Sequence, residues 1–303
     1  MAFTAKDVAE LRKQTGCGMM DCKKALVESD GDFEAAVKYL REKGMAATAK
    51  KADRIAAEGI VDVMTIGNTT AIVEVNSETD FVAKNATFQE FVKEVLKTII
   101  TNKPADVEAL LASAYTQGGT VSEALAEQTY KIGEKLSIRR FTIVEGVVST
   151  YIHGMGATGV VINFVTDVAD KDGFAEYAKN VALQAAAMPV LYLNKESVPA
   201  SVLEEEKAIL IKQMQEDPKM ANKPDAILGK IVEGKIGKFF KENCLVEQAF
   251  VMDGDINVGK YVANCAKEMG KDVKLVDFVR MEKGEGIEKR VDDFAAEVAS
   301  MVK

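Results

Sequence analysis

A single histidine, His153, leaves metal chemistry starved of ligands in this 303-residue chain. The four cysteines, Cys17, Cys22, Cys244 and Cys265, follow neither a zinc spacing nor a disulfide framework, which predicts a reduced, cytoplasmic protein. No apolar run approaches the roughly 18 residues of a membrane helix, and Met1-Ala2-Phe3-Thr4 lacks the apolar core of a signal peptide. Clustered basic charge is scarce as well. The net charge is −8, and the longest basic clusters, Lys50-Lys51 with Arg54 and Arg139-Arg140, are too small to track phosphates. Direct contact with nucleic acid is therefore not expected. The phosphate loop G-x-x-x-x-G-K-[ST] does not occur. Gly154-Met155-Gly156-Ala157-Thr158-Gly159 does fit G-x-G-x-x-G, but that fingerprint needs a helix next, and Val160 to Val165 reads as a strand. Those glycines read as a hairpin turn, with His153 beside it as a surface contact. Neither a metal nor a cofactor is expected.

What remains is an ordinary soluble composition, 48% hydrophobic and 28% charged, long enough for two or three domains. The first forty-odd residues read as three helices. Thr4 caps one through Thr15, a second runs from Met19 to Glu28, and a third carries Phe33, Ala36, Val37 and Leu40 until Gly44 ends it. Met45 to Ala57 reads as a helical or flexible linker. So small a core cannot bury everything, and Met19-Met20 is either core filler or an adaptable contact patch.

The chain then repeats itself. Glu58-Gly59-Ile60-Val61 matches Glu145-Gly146-Val147-Val148, and at the same offset of 87 about nine of the 27 residues from Glu58 to Lys84 are identical. Each copy reads as strand, glycine turn, strand and helix, so the expected class is α+β, a duplicated core of small antiparallel sheets covered by helices. Val121 to Leu136 reads as another amphipathic helix between the copies. Pro199 and Pro224 open two helices that form a hairpin, expected to protrude as an antiparallel coiled coil for dimerisation or a partner. Its seam is drawn through Val202, Leu203, Ile209, Leu210 and Met214, facing Leu228, Val232, Ile236 and Phe239. Extended chain near Gln248, a helix from Asn257, a strand near Val273 and an amphipathic helix from Ile287 to Val302 complete it. The expected domains are 1–55, 56–140, 141–282 with the hairpin inserted at about 190–243, and 283–303.

One stretch stands apart. Ile72 to Asn76 alternates as a strand with one buried face, and Ser77, Thr79 and Asp80 supply helix-start chemistry. Phe81 follows at once. It is either a staple packed on the next helix or a ring with work to do at the surface. The second copy keeps Thr166-Asp167 but has Val168 at this place, so the ring is not required by the shared fold.

Thr15-Gly16-Cys17-Gly18-Met19-Met20-Asp21-Cys22-Lys23-Lys24-Ala25-Leu26 closely resembles the first signature of the translation elongation factor Ts family, and Glu78-Thr79-Asp80-Phe81-Val82-Ala83-Lys84-Asn85 its second. With the duplicated core, the hairpin and Gly284 to Lys289, the resemblance covers essentially the whole chain. It implies a guanine-nucleotide exchange factor for elongation factor Tu that makes or breaks no bonds. It further implies that Thr79, Asp80, Phe81 and Val82 meet the partner's GTPase domain, the ring prying helices apart beside the magnesium and phosphate site. Leu11, Met19 and Met20 would touch the same domain, and His153 with Gly154 another. Where the family commonly has Arg-Ile ahead of the next strand's glycine, this chain has Ala157-Thr158. A module that binds without exchanging, such as a scaffold or holdase, is the alternative.

Overall fold

The computed structural model describes residues 3–170, 173–217 and 224–288. The chain divides into two compact units, Met1–Ile143 with Gly154–Thr158 and Met281–Lys303, and Val144–His153 with Gly159–Arg280.

The first unit opens with helices α1 (Ala5–Thr15), α2 (Met19–Glu28) and α3 (Phe33–Lys51). Thr4 and Asp7 form a reciprocal capping box at the start of α1, and the Asp32 carboxylate accepts from Ala35 N–H at the start of α3. Gly44 does not end α3, contrary to the sequence expectation. The helix runs on to Lys51, and a Cβ at Gly44 would stand 3.1 Å from the Ala126 carbonyl oxygen of α7 (Val121–Ile132). The missing side chain is thus a helix crossing, not a stop. The core of the three helices, Leu11, Cys22, Ala25, Leu26, Ala36 and Leu40, also takes in Tyr130 of α7. A fourth helix supplies the apolar surface that three short ones lack.

The sheet of this unit has the order β1-β2-β3, with β1 (Glu58–Ile66), β2 (Thr69–Ser77) and β3 (Ser137–Glu145). β1 and β2 form an antiparallel hairpin with Glu58 opposite Ser77 and Ile66 opposite Thr69. One face packs through Val73 and Val75 on Phe88, Val92, Val95 and Ile99 of α5 (Ala86–Asn102). The expectation of one buried face on β2 needs correction, because the strand is buried along its whole length. Glu74, on its other face, is fully buried and takes Arg139 Nη1 at 3.1 Å, Arg140 Nε at 2.6 Å and the Gly284 N–H at 2.7 Å. A short turn α4 (Asp80–Ala83) and helix α6 (Val107–Ala112) complete the unit.

The second unit repeats the plan with the order β4-β5-β8, from β4 (Val147–His153), β5 (Thr158–Thr166) and β8 (Val273–Glu282). α8 (Phe174–Ala187) and α11 (Val258–Met269) cover it around Ile162, Phe164, Val181 and Val262. Between them stand α9 (Ala200–Glu216), α10 (Asp225–Asn243) and the ribbon β6 (Ala249–Phe250) with β7 (Asp253–Asn257). α9 and α10 share a core of Leu210, Met214, Val232 and Ile236, joined by Phe240. Ile209, expected in that seam, is 44% exposed. Buried Gln184 and Gln248 tie the foot of α10 to α8. Gln184 donates to Gln248, and Gln248 in turn donates to the Pro189 and Glu242 carbonyl oxygens. The expected C-terminal helix lies outside the described residues beyond Glu288.

Candidate functional site

β2 ends at the buried Ser77, whose hydroxyl donates to the Thr79 carbonyl oxygen at 2.9 Å, and the chain reaches the surface just beyond. Thr79 is the N-cap of α4 by backbone, yet makes no side-chain cap bond there. Its hydroxyl donates to Glu134 Oε1 at 2.7 Å instead. The capping role drawn from Ser77, Thr79 and Asp80 is therefore corrected for Thr79: its hydroxyl proton goes to the Glu134 carboxylate, a charge-assisted bond, and its oxygen caps no backbone N–H of α4. Asn85 does the capping for the longer helix, accepting from Thr87 N–H at 2.8 Å.

Within that turn, adjacent side chains part company. Val82 and Ala83, each 7% exposed, anchor the turn in the core of the first sheet, and Phe81 stands 79% exposed. The staple reading of Phe81 is thereby excluded, and Val82 holds the turn from beneath. Val168, at the matching place in the second copy, is 2% exposed and belongs to that copy's core. Asp80 and Lys84 are paired at 2.6 Å, and the same ammonium lies 6.0 Å from the Phe81 ring centroid. Its hydrogen bond holds the Asp80 carboxyl below the usual carboxylate range. The site thus presents one large apolar ring beside a charged pair, a shape suited to entering an apolar crevice next to polar groups.

Met19 and Met20, 43% and 72% exposed, open α2 over the buried Cys17 and Cys22. Leu11 does not share their surface. It is fully buried in the core of the three helices and offers no surface of its own. His153 ends β4 exposed, 3.5 Å from the Tyr151 hydroxyl. Gly154 opens the turn into β5, so the G-x-G-x-x-G stretch is followed by a strand and has no helix N-terminus to meet a phosphate. Two features escaped the sequence. Met155 is 80% exposed at that turn with φ of 53°, and its only signal was its place among glycines. Glu134 stands 55 positions from Thr79, and no local pattern joins them.

Among the described residues no three His, Cys, Asp or Glu side chains gather as a metal site, and no helix is long and apolar enough to cross a membrane. Burial pushes the Cys17, Cys244 and Cys265 thiols up, away from the thiolate form.

The family model described as elongation factor TS matches residues 78–285, most of the chain and the whole of the Phe81 turn. The elongation factor Ts of Syntrophotalea carbinolica is 49% identical over the full length of both chains. That of Clostridium kluyveri is 45% identical over 99% of each. The chain belongs to the elongation factor Ts family. Within the elongation factor Ts frame, the exposed ring of Phe81 lies inside the matched span, and the methionine pair of α2 lies ahead of it.

Proposed function

We propose that this chain is the guanine-nucleotide exchange factor of elongation factor Tu in translation elongation, with Phe81 as the group that disturbs the nucleotide site. The observation that carries the assignment to Phe81 is its exposure, 79% on a turn whose next two residues are buried. An exposed ring on a rigid support is ready to dock at little further loss of freedom. Asp80 enters beside it, and Met19 and Met20 form a separate contact on the partner.

The reaction needs no bond chemistry. A factor that binds nucleotide-free partner more tightly weakens nucleotide binding by the same ratio. Burying one phenylalanine contributes about 1.5–3 kcal/mol, a factor of roughly ten to a hundred and fifty. That is enough to turn slow GDP release into fast release without an acid, a base or a metal from this chain. The work is done in the cytoplasm, where elongation takes place. Release of fluorescent GDP from elongation factor Tu, with this chain at sub-stoichiometric concentration, is the test. Acceleration abolished by Phe81→Ala supports the reading. Acceleration untouched by that change moves the wedge elsewhere, and binding without acceleration leaves a module that only holds its partner.

A further inference from the structure

Two carboxylates outside the exposed turn hold its base from both sides. Thr79 N–H donates to Glu134 Oε2 at 3.0 Å, and the Thr79 hydroxyl donates to Glu134 Oε1 at 2.7 Å. In the opposite direction, Lys135 N–H donates to Glu78 Oε1 at 2.6 Å, and Arg54 Nη1 reaches the same oxygen at 3.2 Å. Residues 78–79 and 134–135 thus exchange backbone N–H to carboxylate bonds across a gap of more than fifty residues in sequence. Such charge-assisted bonds are roughly twice as strong as neutral ones. The segment carrying Glu134 is itself fixed, since α7 stops at Gly133 and Leu136 and Ile138 are buried just beyond. None of these bonds touches the Phe81 ring. What they fix is the Thr79 backbone two residues ahead of it and the Glu78 side chain three ahead, and so the direction in which Cα–Cβ of Phe81 leaves the surface.

We propose that Glu134 and Glu78 are positioning residues for nucleotide exchange, a reciprocal clamp that pre-orients the Phe81 turn before the partner arrives. This rests on the reading of Phe81 as the contact group. A turn freed from the clamp has to be ordered at the moment of docking. Ordering of one or two side chains costs enough to slow exchange about three- to tenfold.

The experiment compares maximal GDP-release rates from elongation factor Tu for the parent chain, Glu134→Ala, Glu134→Gln, Phe81→Ala and the double variant Glu134→Ala with Phe81→Ala. Amide hydrogen exchange at Thr79 is followed alongside. We expect Glu134→Ala to slow release three- to tenfold, Glu134→Gln to recover most of the loss through its remaining acceptor, and the Thr79 amide to exchange faster. In the Phe81→Ala background the Glu134 change should add nothing, because the clamp then has no ring to aim. A merely structural role would instead add its full loss there, and that result overturns the proposal, as does a Glu134→Ala rate equal to the parent's. If Phe81→Ala alone leaves release unchanged, the wedge reading fails first, and the clamp's role in exchange falls with it. Should Glu134→Ala fail to fold, Glu78→Ala carries the same comparison from the other half of the clamp.

Discussion

Neighbouring residues in a four-residue turn face opposite fates here, and substitution should separate them. Phe81, 79% exposed, adds little to the packing of its own chain. Phe81→Ala is expected to shift unfolding free energy by less than about 0.5 kcal/mol in urea denaturation. It should nevertheless lose exchange activity by roughly ten- to a hundred-and-fifty-fold. Val82, 7% exposed beneath it, should behave in the reverse manner. Val82→Ala should lower stability by about 1–3 kcal/mol, with any rate loss tracking the fraction unfolded. A stable Val82→Ala variant that fails to exchange would return Val82 to the contact surface. The sequence could not choose between these two side chains. A helical period needs more than one turn to express itself, and α4 has only one.

At the scale of elements, the duplicated hairpin predicts a graded response. Gly59 and Gly146 occupy equivalent places with φ of 115° and 114°, a conformation that other residues rarely adopt. A Cβ at Gly59 would stand 2.2 Å from the Val75 carbonyl oxygen, while one at Gly146 would meet nothing nearer than Asn163 Oδ1 at 3.5 Å. Both alanine variants should therefore destabilise by about 1–3 kcal/mol from backbone strain, and Gly59→Ala by clearly more. Equal thermal shifts for the two would refute this. Glu74 supplies a second case. Burial pushes its carboxyl up, but the Gly284 N–H, Asn76, Arg139 and Arg140 outweigh that and leave it below the ordinary glutamate value of 4.5. A lowered folded value means stability that is complete above the ordinary value and lost as pH falls through the folded one. Glu74→Ala should cost about 3–5 kcal/mol at neutral pH. Glu74→Gln should flatten the decline of stability below the glutamate value of 4.5, measured by urea denaturation across pH. The repeat was legible in the residues, and so was the pairing of each first strand with its second. The buried ion cluster was not, because Glu74 lies 65 positions from Arg139 and 210 from Gly284.

For the whole molecule, exchange calls for two contacts with separable effects. Met20, 72% exposed at the start of α2, belongs to binding, and Phe81 to the displacement of nucleotide. Met20→Ala should raise the concentration giving half-maximal GDP release by about three- to tenfold and leave the maximal rate nearly unchanged. Phe81→Ala should lower the maximal rate itself. Titration of the chain against elongation factor Tu distinguishes them, and a Met20→Ala variant with a lowered maximal rate would merge the two contacts into one.

Local signals determined much of this chain: helix starts at Thr4 and Asp32, the hairpin turns, the duplicated strands, and the two signatures that mark its family. Each is written within a dozen or so neighbouring residues, over which backbone conformation and periodicity act. Packing decided the rest. It carried α3 past Gly44 because α7 lies against that position, buried Leu11 and Val82 while leaving Met20 and Phe81 outside, and joined Glu134 to Thr79. Those outcomes depend on which surfaces meet after the chain has closed on itself, and neighbours along the sequence carry no record of neighbours across it.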